Sequence, residues 1–151
     1  MNELKDVIDL RAMIEPDISG KAVPHLTTAD LEQAKRILDD YEAALKKNEI
    51  SKWGEYNWKF HSTLCAPSGC TTAMGILQSL HYLNERYANI QISVTHWQQR
   101  AAKEHREILA ACRKRDRPKV MKLVEDHIRS AGQALITFLE QHRQANEKAA
   151  D

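Results

Sequence analysis

The chain has 151 residues, 22 Lys and Arg against 21 Asp and Glu, and a formal net charge of +1. That length suits one domain, and the near-neutral balance lacks the clustered basic face that direct binding to nucleic acid requires. No apolar run approaches the roughly 18 residues of a membrane span, and no basic-then-apolar signal pattern opens the chain.

A mixture of 42% hydrophobic and 28% charged residues belongs to a globular protein, while 5 Gly and 4 Pro are about half the usual share. Long helices and few turns are expected, in a single all-α domain over residues 1–151 in the cytoplasm. Three cysteines, Cys65, Cys70 and Cys112, show no zinc-knuckle spacing and read as reduced thiols. A local bridge between Cys65 and Cys70 is possible but unneeded.

Breakers and caps divide the chain into about six helical stretches. The first spans about Asn2 to Ile18, with Leu4, Val7, Ile8, Arg11, Ile14 and Ile18 as its stripe and Ser19-Gly20 as its end. Thr27-Thr28-Ala29-Asp30 reads as a helix start, and the second helix runs to about Lys47. The third, about Ser51 to Ala66, stops at Pro67-Ser68-Gly69. A fourth covers about Thr71 to Val94 and a fifth about His96 to Arg115. Asp116, followed by Pro118, opens a last helix reaching about Gln144, after which the polar tail is expected to fray. Such helices on short connections predict an antiparallel bundle of six to seven members.

Seven histidines make position more telling than number. His25, His96 and His142 fall in loops, junctions or the polar tail and read as rim residues. His81 lies at the edge of the Leu77–Leu80 stripe and reads as half-buried packing. His61, His105 and His127 instead occupy apolar-facing positions on three different helices. Asn57 projects from the same face as His61, one turn earlier.

A buried imidazole needs partners for both ring nitrogens. Three pointing inward suit either three separately satisfied residues or one shared divalent metal, for which neutral imidazole is the commonest ligand. No two of the three share a helix, so no local motif such as H-E-x-x-H decides between these.

Asn57-Trp58-Lys59-Phe60-His61, then Leu64 and Pro67-Ser68-Gly69, resemble the D-x-x-F-H-x-x-L…S-G-N signature of the FCD domain. That domain is the effector-binding half of FadR-subfamily regulators in the GntR family. Leu10-Arg11-Ala12-Met13-Ile14-Glu15-Pro16 resembles its R-x-x-[IL]-E opening, and Glu104-His105-Arg106-Glu107-Ile108-Leu109 with Ala111 resembles its E-H-x-x-I-L-x-A helix. Asp116 and His127 fit the closing stretch.

The resemblance implies a helical bundle around a small-molecule cavity, with a divalent metal at Asn57, His61, His105 and His127. Zinc is the first candidate; nickel, manganese and iron are the others. It also implies a small carboxylate as effector and a homodimer as the working unit. DNA would be contacted only through a winged-helix domain ahead of these residues.

Asn57 stands where aspartate is usual. Its amide brings no charge, so the sequence reading leaves the ion's charge uncompensated, with weaker metal retention and stronger attraction for an anion. Arg11 and Arg86 are candidates for holding a second anionic group. The basic run Arg113, Lys114, Arg115, Arg117 and Lys119 reads as a solvated helix junction. The outer faces show no large apolar patch.

Two rivals follow from the same residues. A metalloenzyme would use three histidines and an open position, but no carboxylate is evident on the inner stripes, and Glu104 and Glu107 read as pointing away from His105. A metal-free helical interaction domain is the other.

Overall fold

The computed structural model describes residues 2–49, 52–92 and 97–149. These form six α-helices: α1 Asn2–Ala22, α2 Thr28–Lys46, α3 Trp53–Cys65, α4 Thr71–Ile92, α5 Trp97–Arg113 and α6 Arg117–Ala149. There is no strand among the described residues, and no helix among them is long and apolar enough to cross a membrane. Val94 and His96, expected at helix ends, lie outside the described residues.

Local chemistry sets most boundaries. At the start of α2, Asp30 N–H donates to Thr27 Oγ1 (3.1 Å) and Thr27 N–H donates to Asp30 Oδ2 (2.8 Å), so two otherwise orphaned amides satisfy each other's residue. α3 tightens into a 3-10 turn at Ala66–Ser68 and stops at Gly69, whose φ of 69° is left-handed. Asp116 Oδ1 accepts from Lys119 N–H (3.2 Å) ahead of α6.

The expected end of α1 at Ser19-Gly20 is corrected: the helix continues to Ala22. Gly20 serves close packing instead, since a Cβ there would lie 2.7 Å from the Met121 side chain on α6. Gly132 does the same from α6, where a Cβ would meet Ile8 of α1 at 2.6 Å. Ile8 opposite Gly132 and Gly20 opposite Met121 make α1 and α6 antiparallel neighbours. The last helix also outruns its expected end, reaching Ala149.

Cross-helix pairs fix the other registers. Arg106 on α5 bonds Asp39 and Glu42 of α2 (2.7 Å each), and Arg113 bonds Glu32 (2.9 Å), an antiparallel pairing. Glu15 faces His81 and Glu3 faces Tyr87, so α1 and α4 are antiparallel. Glu15 also faces His61, and Ser19 faces Cys65, so α3 runs parallel to α1. The core between them includes Leu4, Ile8, Leu38, Phe60, Ile108 and Val124.

The basic junction is only partly solvated. Arg115 donates to Val23 O (2.6 Å) and Leu26 O (2.5 Å), tying the α5–α6 turn to the α1–α2 connection. All three cysteines are free thiols, and burial pushes that of Cys112 up to about 12. Leu10, Met13, Ile76 and Tyr82 are exposed large apolar residues on α1 and α4.

Candidate metal centre

α3, α5 and α6 each bring one histidine to the middle of the bundle. His61, His105 and His127 are 2%, 0% and 6% exposed, so their polar nitrogens must find partners inside the protein. His105 Nε2 lies 3.2 Å from His61 Nε2 and 3.2 Å from His127 Nε2. The Phe60 ring packs on His105 at a centroid distance of 4.8 Å, and Tyr41 meets its edge at 5.8 Å. Aromatic packing therefore holds the central imidazole in place.

The outward nitrogens determine what the inward ones offer. His127 Nδ1 is 2.7 Å from Glu104 Oε2, and His61 Nδ1 is 2.5 Å from Glu15 Oε1. His127 Nδ1–H is directed at Glu104; the Glu15 carboxylate beside His61 Nδ1, though outside hydrogen-bond geometry, favours the proton on that nitrogen, so both Nε2 atoms carry lone pairs. His105 Nε2 faces both of them, while its Nδ1 is buried with no partner among the described residues.

A single N–H on His105 serves one neighbour well and leaves a second lone pair facing it. A cation serves all three. Ligand nitrogens at tetrahedral corners around zinc, about 2.0–2.1 Å from the ion, stand about 3.3 Å apart, which the two 3.2 Å separations match. The donor set and spacing thus fit a divalent metal. Burial holds His105 well below the usual imidazole pKa and lowers that of His127, so both are neutral and ready to ligate.

Two carboxylates stand behind the imidazoles, correcting the expectation of an uncompensated ion. Glu15 on α1 is 0% exposed. Its Oε2 accepts from Arg11 Nη2 (3.0 Å), Arg11 Nε (3.3 Å) and His81 Nε2 (3.3 Å). Burial, the largest influence, pushes its carboxyl up, but Arg11, His61 and His81 together hold it well below the usual range.

Glu104 is likewise opposed by burial yet lowered by His127 and Arg100. It points at His127 rather than away from the site, contrary to the sequence reading. His81 is also corrected from half-buried packing. It is 5% exposed, tilted against the Trp58 ring (4.7 Å) and bonded to Glu15; burial, with Arg11 nearby, lowers its pKa to about 3. Glu15, His61 and His81 form a second group whose ligand atoms lie within 4.8 Å of one another. There the Arg11 guanidinium already supplies the positive charge.

A cavity of about 100 Å³ adjoins the cluster, with Arg11, Asn57, His81 and His127 in its wall. Asn57 is half-buried there, one turn before His61. Arg11 is buried and paired with Glu15, whereas Arg86 is exposed on α4. A separate open groove of about 790 Å³ runs along α1, α5 and α6 and reaches Glu104 and His127 from outside. His25 and His142 are exposed as expected, the latter packed on Phe138; His96 lies outside the described residues.

Comparison with known proteins gives one family: the FCD domain matches residues 6–130. Among solved structures, E. coli McbR/YncC superposes with a TM-score of 0.84 at 15% identity, over 91% of this chain and 69% of that one. A GntR-family transcriptional regulator from Pseudomonas syringae pv. tomato str. DC3000 gives 0.81 at 18%, over 93% and 58%. Streptococcus agalactiae GntR gives 0.71 at 23%, over 87% and 58%. At these identities the likeness is one of fold, and the chain spans little more than half the length of the last two. No curated protein sequence matches significantly.

Proposed function

The chain belongs to the FCD domain family, a domain of GntR-family transcription regulators, and on that premise we propose that it is a metabolite sensor built on a divalent metal. The observation that carries the reading is the set of three Nε2 atoms, two pairs of them 3.2 Å apart, with carboxylates behind two of the rings.

His61, His105 and His127 would hold the ion, with Asn57 beside them as the fourth candidate; zinc fits best, and nickel, manganese or iron would also accept imidazole. When bound, the metal supplies a Lewis-acidic anchor for an anion. Glu15 and Glu104 fix the tautomers of His61 and His127 and offset the ion's charge. Arg11 borders the cavity beside the ion and favours a small carboxylate there. Arg86, exposed, could meet only a group arriving from solvent.

Ligand binding would bias helix positions and, through them, an attached winged-helix domain that contacts DNA. The working unit would be a cytoplasmic homodimer. His61, His105 and His127 are not free to act as a general base while ligating, Asn57 takes no proton, and Glu15 and Glu104 are engaged by imidazoles and arginines, which supports binding rather than turnover.

The test is elemental analysis of tag-free protein dialysed without chelator. About one metal per chain is expected, lost in His105→Ala. A protein that contains no metal, and whose melting temperature ignores added zinc, would refute the reading.

A further inference from the structure

The 100 Å³ cavity contains one charge that the sensor reading leaves unused. Glu85, four residues after His81 on α4, is half-buried in the cavity wall. Its carboxylate lies against Gly54 of α3, where a Cβ would sit 1.8 Å from Glu85 Oε1; a glycine at that position is what admits it. Glu85 has no hydrogen bond or ion pair among the described residues. Burial, then repulsion from Glu55, raises its carboxyl above the usual range.

In the same wall, Trp53 is 6% exposed and its indole N–H has no acceptor among the described residues. Arg11 forms a third part of the wall, with two of its N–H groups on Glu15. The cavity therefore presents two kinds of unmet demand. The indole N–H asks for an acceptor, in the same wall as a guanidinium already paired with Glu15; the unpaired carboxylate asks for a cation.

We propose that this cavity takes a small amino-carboxylate, its ammonium group paired with Glu85 and its carboxylate held on the side of Arg11 and the Trp53 N–H. This rests on the sensor reading and narrows its ligand class. A plain carboxylate would leave Glu85 desolvated without a partner, which a buried site penalises. A hydroxy acid would bring only a neutral donor to a charged acceptor, the weaker hydrogen bond. The small volume limits the ligand to a few heavy atoms.

The probes are glycine, glycolate and propionate, which share one shape and differ only in an ammonium, hydroxyl or methyl group. Each is titrated calorimetrically into the zinc-loaded protein. Glycine is expected to bind about tenfold tighter than the other two, the worth of one charge-assisted hydrogen bond. Glu85→Gln should bring the three within about twofold of one another. Gly54→Ala should also erode the preference, because its methyl group displaces the carboxylate while keeping the charge.

Glycolate or propionate binding as tightly as glycine overturns this inference alone, as does a Glu85→Gln protein that keeps the preference. If zinc-loaded protein binds none of the three, this inference is overturned, while the sensor reading stands or falls on metal content.

Discussion

Glu15→Gln is the most informative single change in the bundle. The wild-type carboxylate is 0% exposed and faces three groups on three helices: Arg11 at 3.0 Å, His81 at 3.3 Å and His61 at 2.5 Å. The amide preserves shape but leaves the buried Arg11 guanidinium without its counter-charge. Removing one partner of a buried pair costs about 3–5 kcal/mol. For a chain of this size that is a fall of about 6–20 °C in melting temperature.

The amide also removes the carboxylate that orients His61, which should weaken metal binding about 10–100-fold. Thermal unfolding of chelated protein reads the first effect, and competition with a chromophoric zinc chelator reads the second. The double variant Arg11→Met/Glu15→Gln removes both charges and should recover much of the stability but not the metal affinity. A Glu15→Gln protein melting within about 2 °C of wild type, with unchanged zinc affinity, would refute the reasoning.

Acid should unfold the chelated protein early. His105 and His127 have lowered pKa values, so the unfolded chain binds more protons; the stability is full above the free-imidazole pKa of about 6.5 and declines as pH falls below it. Urea midpoints at neutral and mildly acidic pH check this, and equal midpoints would contradict it. Arg115→Ala removes the donors held by Val23 O and Leu26 O and should cost about 2 kcal/mol in denaturant unfolding. Gly132→Val places methyl groups into Ile8 and should cost about 1–3 kcal/mol by overpacking α1 against α6.

Much of this was legible because local rules acted alone. The Thr27–Asp30 box and the Pro67-Ser68-Gly69 break depend on a few neighbouring residues, and the structure places them where the chain pattern does. His61, His105 and His127 were visible as polar residues on apolar stripes. Ser19-Gly20 misled because a glycine that ends a helix and one that admits a neighbouring helix look identical until the neighbour is known.

Glu15 was missed for a related reason. It stood in the R-x-x-[IL]-E resemblance with no role read for it, and its spacing of four from Arg11 is shared by solvated surface pairs. Glu104 could not be placed from the chain, since its partner His127 is set by the register of α5 on α6. Likewise Glu85 belongs to the cavity only because α3 brings Gly54 against it.

The central claim is that His61, His105 and His127 jointly hold a metal. Anomalous diffraction from zinc-loaded crystals, collected at the metal edge, tests it most directly. The account predicts one strong peak about 2.0–2.1 Å from all three Nε2 atoms, abolished by His105→Ala. A peak between Glu15 and His81 instead, or no peak within the bundle, would contradict it.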